Sequence, residues 1–310
     1  MDTHSADQDL LQLLAALDAR GYRFTTVTPA THARLLARDG DHPARTLRDV
    51  FGWNRWFDPA LLPSDILDPL RRAGAVDSRD GRLKSKLRVA AIGDSLFLHS
   101  AFPTEAADSV FFGPDTYRFA RLIEQELRGG PLYADIVDIG AGSGAGGLIA
   151  RHVLPAARLI MTDINPEALR LARVNAAHLG IAVDQIEAPG LEGVDGPIDL
   201  VLANPPYVMD TAERAYRDGG DMHGAALSLE WALSAAERLR PGGKMLLYTG
   251  VAIVDGEDAF EAALRRALPE HGCTLRYSEI DPDIFGEELD EPPYAEVERI
   301  AAVAAIIERG

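Results

Sequence analysis

From Asp135 to about Gly250 the chain repeats one pattern. A run of apolar residues long enough for a strand gives way to a turn, and the turn to a stretch with helical spacing. Residues 136–139, 158–162, 183–187, 198–203 and 244–249 read as strands. Residues 146–153, 166–179 and 225–239 read as helices, the second with Pro166 suited to its first turn. Consecutive parallel strands need a long crossover, which a helix usually supplies, so the alternation predicts a largely parallel sheet covered on both faces. Residues 274–280 and 300–307 add an expected antiparallel pair. The expected fold class is α/β and Rossmann-like, mostly parallel with an antiparallel strand at one edge.

The chain ahead of this pattern has a different texture. Leu10, Leu11, Leu13, Leu14 and Leu17 form an apolar stripe that stops before Gly21. Residues 30–38, 44–50 and 64–73 have helical spacing, the last with Ser64 as the expected N-cap and Gly74 just past its end. Residues 82–92 and 95–100, separated by Gly93-Asp94, read as a β-hairpin. The pattern changes near Gly129-Gly130-Pro131, and charge divides with it. Residues 1–128 hold 17 basic and 18 acidic side chains, and residues 129–310 hold 14 and 30. Two domains are expected: a smaller, mainly helical one with a hairpin over 1–110, and an α/β one over 111–310.

A net charge of -17 excludes a chain that coats nucleic acid through bulk charge, since phosphate neutralisation needs Lys and Arg in surplus. The single Cys273 excludes an intrachain disulfide and any cysteine-built metal cluster. His99, His152 and His178 stand without partners at metal-ligand spacing, so no metal is expected. The opening residues MDTHSADQDL lack a basic start followed by an apolar run, and apolar runs elsewhere are cut by charge. A cytoplasmic protein without a membrane span is expected. Oligomeric state is not encoded in any pattern of this kind.

Three motifs carry chemistry. Asp138-Ile139-Gly140-Ala141-Gly142-Ser143-Gly144 directly follows a strand and opens a helix. Its glycines let the backbone turn tightly and a ligand come close, while Asp138 suits a cationic ammonium better than a pyrophosphate. Asp163, 25 residues on, ends the second strand before Ile164, where a carboxylate can accept from both hydroxyls of a ribose. Asn204-Pro205-Pro206-Tyr207 follows the strand at 198–203. The two prolines carry no N–H, which leaves carbonyls free to accept. Asn204 adds an amide oxygen and Tyr207 an aromatic face, a setting suited to a planar –NH2 group.

On these residues the segment from Asp135 to about Gly250 resembles a class I S-adenosylmethionine-dependent methyltransferase of the Asn-Pro-Pro-Tyr group. Within that group it is most similar to the glutamine N5-methyltransferases that modify release factors and a ribosomal protein. Gly113-Pro114-Asp115-Thr116 resembles the proline-containing segment that precedes the core in those enzymes, and the helical N-terminal unit resembles their substrate-recognition domain. The resemblance implies S-adenosyl-L-methionine as cofactor. Asp138, Gly140, Ala141, Gly142 and Gly144 then face its methionyl part and Asp163 and Ile164 its ribose side. Glu187 or Ala188 stands where the family has an acid beside the adenine. Asn204, which also adjoins the cofactor, Pro205, Pro206 and Tyr207 then form the catalytic acceptor slot. Two departures touch the substrate: Asp218-Gly219-Gly220-Asp221 matches the family's stretch after the tetrapeptide only loosely, and the chain beyond Val251 does not match closely.

Three acceptors remain open at this level. A glutamine of a release factor or ribosomal protein follows from the resemblance and from the acidic second half. A nucleobase amino group of RNA or DNA is the second. The basic run Arg71, Arg72, Arg79, Arg82, Lys84, Lys86 and Arg88, set against only Asp77 and Asp80, can serve it as a phosphate-contacting wing or can be a solvated hairpin face. A small molecule is the third, with the C-terminal tail closing the pocket. That tail holds nine acids from Glu279 to Glu298, offset by Arg299.

Overall fold

The computed structural model describes residues 3–40, 42–104, 106–209 and 219–310. By its contacts the chain forms two compact units. One comprises residues 1–118 with 142–145 and 167–182, the other residues 119–141, 146–166 and 183–310.

The first unit opens with α1 (Thr3–Asp18), α2 (Pro29–Asp39), α3 (Leu47–Phe51) and α4 (Ser64–Arg72). Their starts are set locally. Thr28 Oγ1 accepts from Thr31 N–H ahead of α2, and Thr46 and Asp49 form a reciprocal capping box at α3. At α4 the cap position falls on Pro63, with no side-chain bond, so Ser64 is the first helical residue rather than the N-cap. The expected hairpin is two hairpins. β1 (Val76–Arg79) pairs with β2 (Arg82–Ser85), and β3 (Leu87–Ile92) with β4 (Ser95–Ser100). The long arm at 82–92 breaks at Lys86, where Ser85 Oγ accepts from Leu87 N–H at 3.1 Å and donates to Leu87 O at 2.6 Å.

The chain continues through α5 (Pro114–Leu127), which straddles the two units, into β5 (Asp135–Ile139), α6 (Ala145–Val153), β6 (Arg158–Asp163), α7 (Pro166–His178), β7 (Asp184–Glu187) and β8 (Ile198–Ala203). Most of α7 belongs to the first unit, where Ala168, Leu171 and Val174 share a core with Leu10, Leu14, Phe51 and Leu98. Buried Asn175 accepts from Leu98 N–H at 2.8 Å and donates to Leu98 O and Ser143 O, which satisfies its amide without water.

α8 (Ala226–Arg238), β9 (Leu239–Val254), β10 (Glu257–Asp258), α9 (Ala259–Ala267), β11 (Cys273–Asp281) and β12 (Arg299–Arg309) complete the second unit. Its sheet runs β11-β12-β9-β8-β5-β6-β7, with β10 pairing onto β9. β7, β6, β5, β8 and β9 are mutually parallel, and β12 and β11 are antiparallel at one edge. The fold is thus the Rossmann-like α/β architecture expected. β8 is buried at every position and edge strand β7 at none, as a central and a marginal parallel strand should be. β9 runs past the expected end at Thr249 because β12 pairs with it from Lys244 to Ile253, and it begins earlier at Leu239, which pairs with Ile198 of β8. Small Ala232, Ala235 and Ala236 let α8 lie close over Val201, Ala203 and Leu247. Among the described residues no helix is long and apolar enough to cross a membrane.

Candidate active site

Strand order reverses between β5 and β8, from which the sheet grows in opposite directions. In such sheets the crevice outside the carboxyl ends at this point is where ligands bind. Ile139 and Ala203 are register partners, so Gly140 and Asn204 are the next residues on adjacent strands at one edge. Thr162 lies opposite Ile139 and Glu187 opposite Asp163, which brings Asp138, Asp163, Glu187 and Asn204 to that same edge.

After β5 the chain turns through Gly140, Gly142 and Gly144, all at positive φ. At Gly140 (φ +60°) a side chain is doubly excluded, because a Cβ would also come within 2.6 Å of the Trp231 indole. Ala141 N–H donates to Thr162 O at 3.0 Å and holds the turn to β6. Asp138 is buried, and its Oδ2 accepts from Gly147 N–H at 2.7 Å in the first turn of α6. Burial pushes its carboxyl up to about 7, against the lowering effect of the Gly147 bond and with a further rise from Asp163. No cation among the described residues opposes that rise.

Asp163 closes β6 half-buried, its Oδ1 accepting from Asn165 N–H at 2.9 Å and its carbonyl from Ala188 N–H at 3.1 Å. Ile164 follows with 54% of its surface exposed, just past the end of β6. Glu187 is exposed and Ala188 half-buried. Thr162 Oγ1 donates to Gly190 O at 2.7 Å. Beneath both turns lies Trp231 of α8, whose indole meets Gly140 with one ring edge and Gly190 with the other. No sequence motif marks Trp231; it is a helix residue some ninety positions from Gly140, and only tertiary packing brings it there.

After β8, Asn204 and Pro206 are half-buried and Pro205 and Tyr207 buried. The Tyr207 ring lies on Gly250 of β9, where a Cβ would come within 2.3 Å of it. Gly219 N–H donates to Val208 O at 2.8 Å, and Gly224 sits against Tyr207 O so closely that a Cβ would overlap it. Gly219 and Gly224 therefore brace the tetrapeptide's backbone, Gly220 and Asp221 accept from Gly224 N–H, and Asp218 lies outside the described residues.

The basic run from Arg71 to Arg88 does not present one face. Arg72 pairs with Asp9 at 2.8 Å and Lys86 with Asp77 at 3.6 Å. Half-buried Lys84 donates to Phe102 O, and buried Arg88 donates to Gly52 O at 2.9 Å. Arg71, Arg79 and Arg82 are exposed, with the Arg79 guanidinium 5.1 Å from the Trp56 ring centre. His99 is buried on Phe112, and burial holds it well below the ordinary imidazole range.

Residues 119–251 match the family model described as the methyltransferase small domain. The chain is 30% identical over 283 residues to the release factor glutamine methyltransferase of Deinococcus radiodurans, covering 90% of this chain and 96% of that one. To the release factor glutamine methyltransferase of Cereibacter sphaeroides it is 31% identical over 243 residues, 71% of this chain and 82% of the other. Among solved structures, Trm5b from Pyrococcus abyssi superposes with a TM-score of 0.51 at 14% identity, over 75% of this chain and 61% of that one, a likeness of fold. With the sheet order and the placement of its motifs at one edge, near end-to-end similarity to such a relative leaves one assignment: the chain belongs to the release factor glutamine methyltransferase family of class I methyltransferases.

Proposed function

We propose that this chain is an S-adenosylmethionine-dependent N-methyltransferase whose acceptor is the side-chain amide of a glutamine in a protein of the translation machinery, a release factor or ribosomal protein. The observation that carries the reading is the register of β5 and β8. It sets the glycine turn with its buried carboxyl beside the Asn-Pro-Pro-Tyr loop at one edge of the sheet.

The cofactor fits the residues present. Asp138 is a buried carboxyl that no cationic side chain among the described residues offsets, and an ammonium group would complete it. The open glycine turn at Gly140, Ala141, Gly142 and Gly144 offers close backbone approach, and Asp163 a half-buried carboxylate for paired hydroxyls. Ile164, with Glu187 and Ala188 across the edge, flanks the region for the base. When bound, the cofactor supplies an electrophilic methyl on a sulfonium.

An amide nitrogen is a poor nucleophile because its lone pair is delocalised. Asn204 Oδ1 and the Pro205 carbonyl accept its two N–H bonds, which draws the lone pair out of conjugation and aims it. Pro206 keeps the loop rigid, and Tyr207 shapes the slot. Positioning of this kind supplies about 7–11 kcal/mol in favourable cases. Residues 1–110 are assigned to acceptor recognition and residues 111–310 to transfer, in the cytoplasm. The excess of 30 acidic over 14 basic side chains in residues 129–310 favours a basic protein partner. The dispersal of the Arg71–Arg88 charges weighs against RNA or DNA. The test is transfer of labelled methyl from the cofactor into a purified release factor, with RNA and small-molecule fractions as alternatives. Label in a glutamine of the protein is expected; label only in RNA or a small molecule overturns the acceptor.

A further inference from the structure

The matched methyltransferase domain ends at residue 251, and the acidic stretch between β11 and β12 lies beyond it. That stretch is not a solvated face throughout, because Ile284, Tyr294, Val297 and even Glu288 are buried. It returns to the tetrapeptide loop at two points. Phe285 meets Tyr207 edge to face, with ring centres 5.8 Å apart and planes at 70°. The Tyr294 hydroxyl accepts from Met209 N–H at 2.8 Å.

These contacts answer a specific weakness. Pro205 and Pro206 cannot donate hydrogen bonds, so the loop leaving β8 has two fewer donors with which to tie its own backbone down. Tyr207 is held between Gly250 on β9 and Phe285, and is 9% exposed, so its ring is a fixed part of the slot wall. Phe285 itself sits at φ +53°, a left-handed conformation unfavourable for an aromatic residue, which persists where packing holds it.

We propose that residues 284–297 form a strap that fixes the acceptor slot, with Phe285 and Tyr294 as positioning residues for methyl transfer. Phe285 sets the Tyr207 ring, and Tyr294 anchors the backbone two residues beyond it. Together they keep the oxygens of Asn204 and Pro205 at the spacing a planar –NH2 needs. This inference rests on the reading of Asn204–Tyr207 as the acceptor slot.

The test uses the full chain with Tyr294→Phe, Phe285→Ala and the conservative Phe285→Tyr. Hydrogen exchange at Met209 should quicken in Tyr294→Phe, which loses one hydroxyl and little else. With a release factor as acceptor, kcat should fall about tenfold to a hundredfold in Phe285→Ala and several-fold in Tyr294→Phe, with cofactor Kd unchanged. Phe285→Tyr should recover most of the rate. Unaltered exchange at Met209 together with wild-type kcat in folded variants would overturn the strap. If the wild-type protein binds the cofactor yet methylates no release factor, the acceptor reading fails, and exchange at Met209 still decides the strap.

Discussion

The two loops that leave neighbouring strands β5 and β8 hold a backbone beyond the end of the strand ladder by opposite means. The glycine turn is held from within and below: Gly147 N–H on Asp138, Ala141 N–H on Thr162 O, and the Trp231 indole beneath Gly140. The tetrapeptide loop, two backbone donors short because of its prolines, is held from outside by Gly219, Tyr294 and Phe285. The first loop carries a buried charge that asks for a cation, and the second carries neutral acceptors that ask for N–H donors. Binding and transfer are therefore separable, and variants should split cleanly between them.

The largest effect is expected from Asn204→Ala. Transfer should fall about 10²–10³-fold, as when one preorganised polar partner of a reacting group is removed. Cofactor affinity by calorimetry should stay nearly constant, and an active Asn204→Ala enzyme would break the division between the loops.

Next comes the pH dependence of binding. With the Asp138 carboxyl raised to about 7, it is largely protonated at pH 5 in the unbound protein, and an ammonium ligand needs it ionised. Affinity for the cofactor should therefore rise about tenfold per pH unit between pH 5 and pH 7, then level off. Asp138→Asn should bind weakly with a flat profile. Without ligand the sign reverses. A carboxyl whose folded-state pKa lies above its unfolded value disfavours the folded state as pH rises from about 4 through 7, so Asp138→Asn should raise Tm at pH 8. Steep pH dependence in Asp138→Asn would remove this residue from the cofactor site.

A smaller effect, about tenfold, is expected on cofactor affinity in Gly140→Ala, which meets both the φ penalty and the indole. Adding Trp231→Leu should restore part of the affinity by relieving the clash and none of the φ cost. Full additivity of the two changes would show that Trp231 does not support the turn. The smallest effect is expected away from both loops. Replacing exposed Arg71, Arg79 and Arg82 by Gln should shift Tm by no more than about 1 °C, whereas Arg88→Gln should lower it by several degrees.

Legibility in the sequence follows the same contrast. The sheet could be read because buried parallel strands such as Ile198–Ala203 are nearly continuous apolar runs, and because the glycine and proline motifs fix backbone geometry within a few residues. Contacts over long separations left no such trace. Trp231 beneath Gly140, and Phe285 and Tyr294 against the tetrapeptide loop, are ordinary aromatics until the fold is closed. The basic run stayed ambiguous in the sequence for a local reason. Arg82, Lys84, Lys86 and Arg88 fall at even spacing, as one strand face would require, but Ser85 folding onto Leu87 ends one hairpin and starts another. Arg88 then faces inward, opposite His99. Ser64 likewise looked like a cap, because Pro63 in the capping position carries none of the side-chain chemistry that marks one.

The acceptor is read most directly by mass spectrometry of a release factor incubated with the protein and S-adenosylmethionine, at each glutamine. One methyl group on a glutamine side chain is expected, absent with Asn204→Ala although that variant still binds cofactor. An unmodified release factor, with methyl recovered in RNA or in a small molecule, would contradict that assignment.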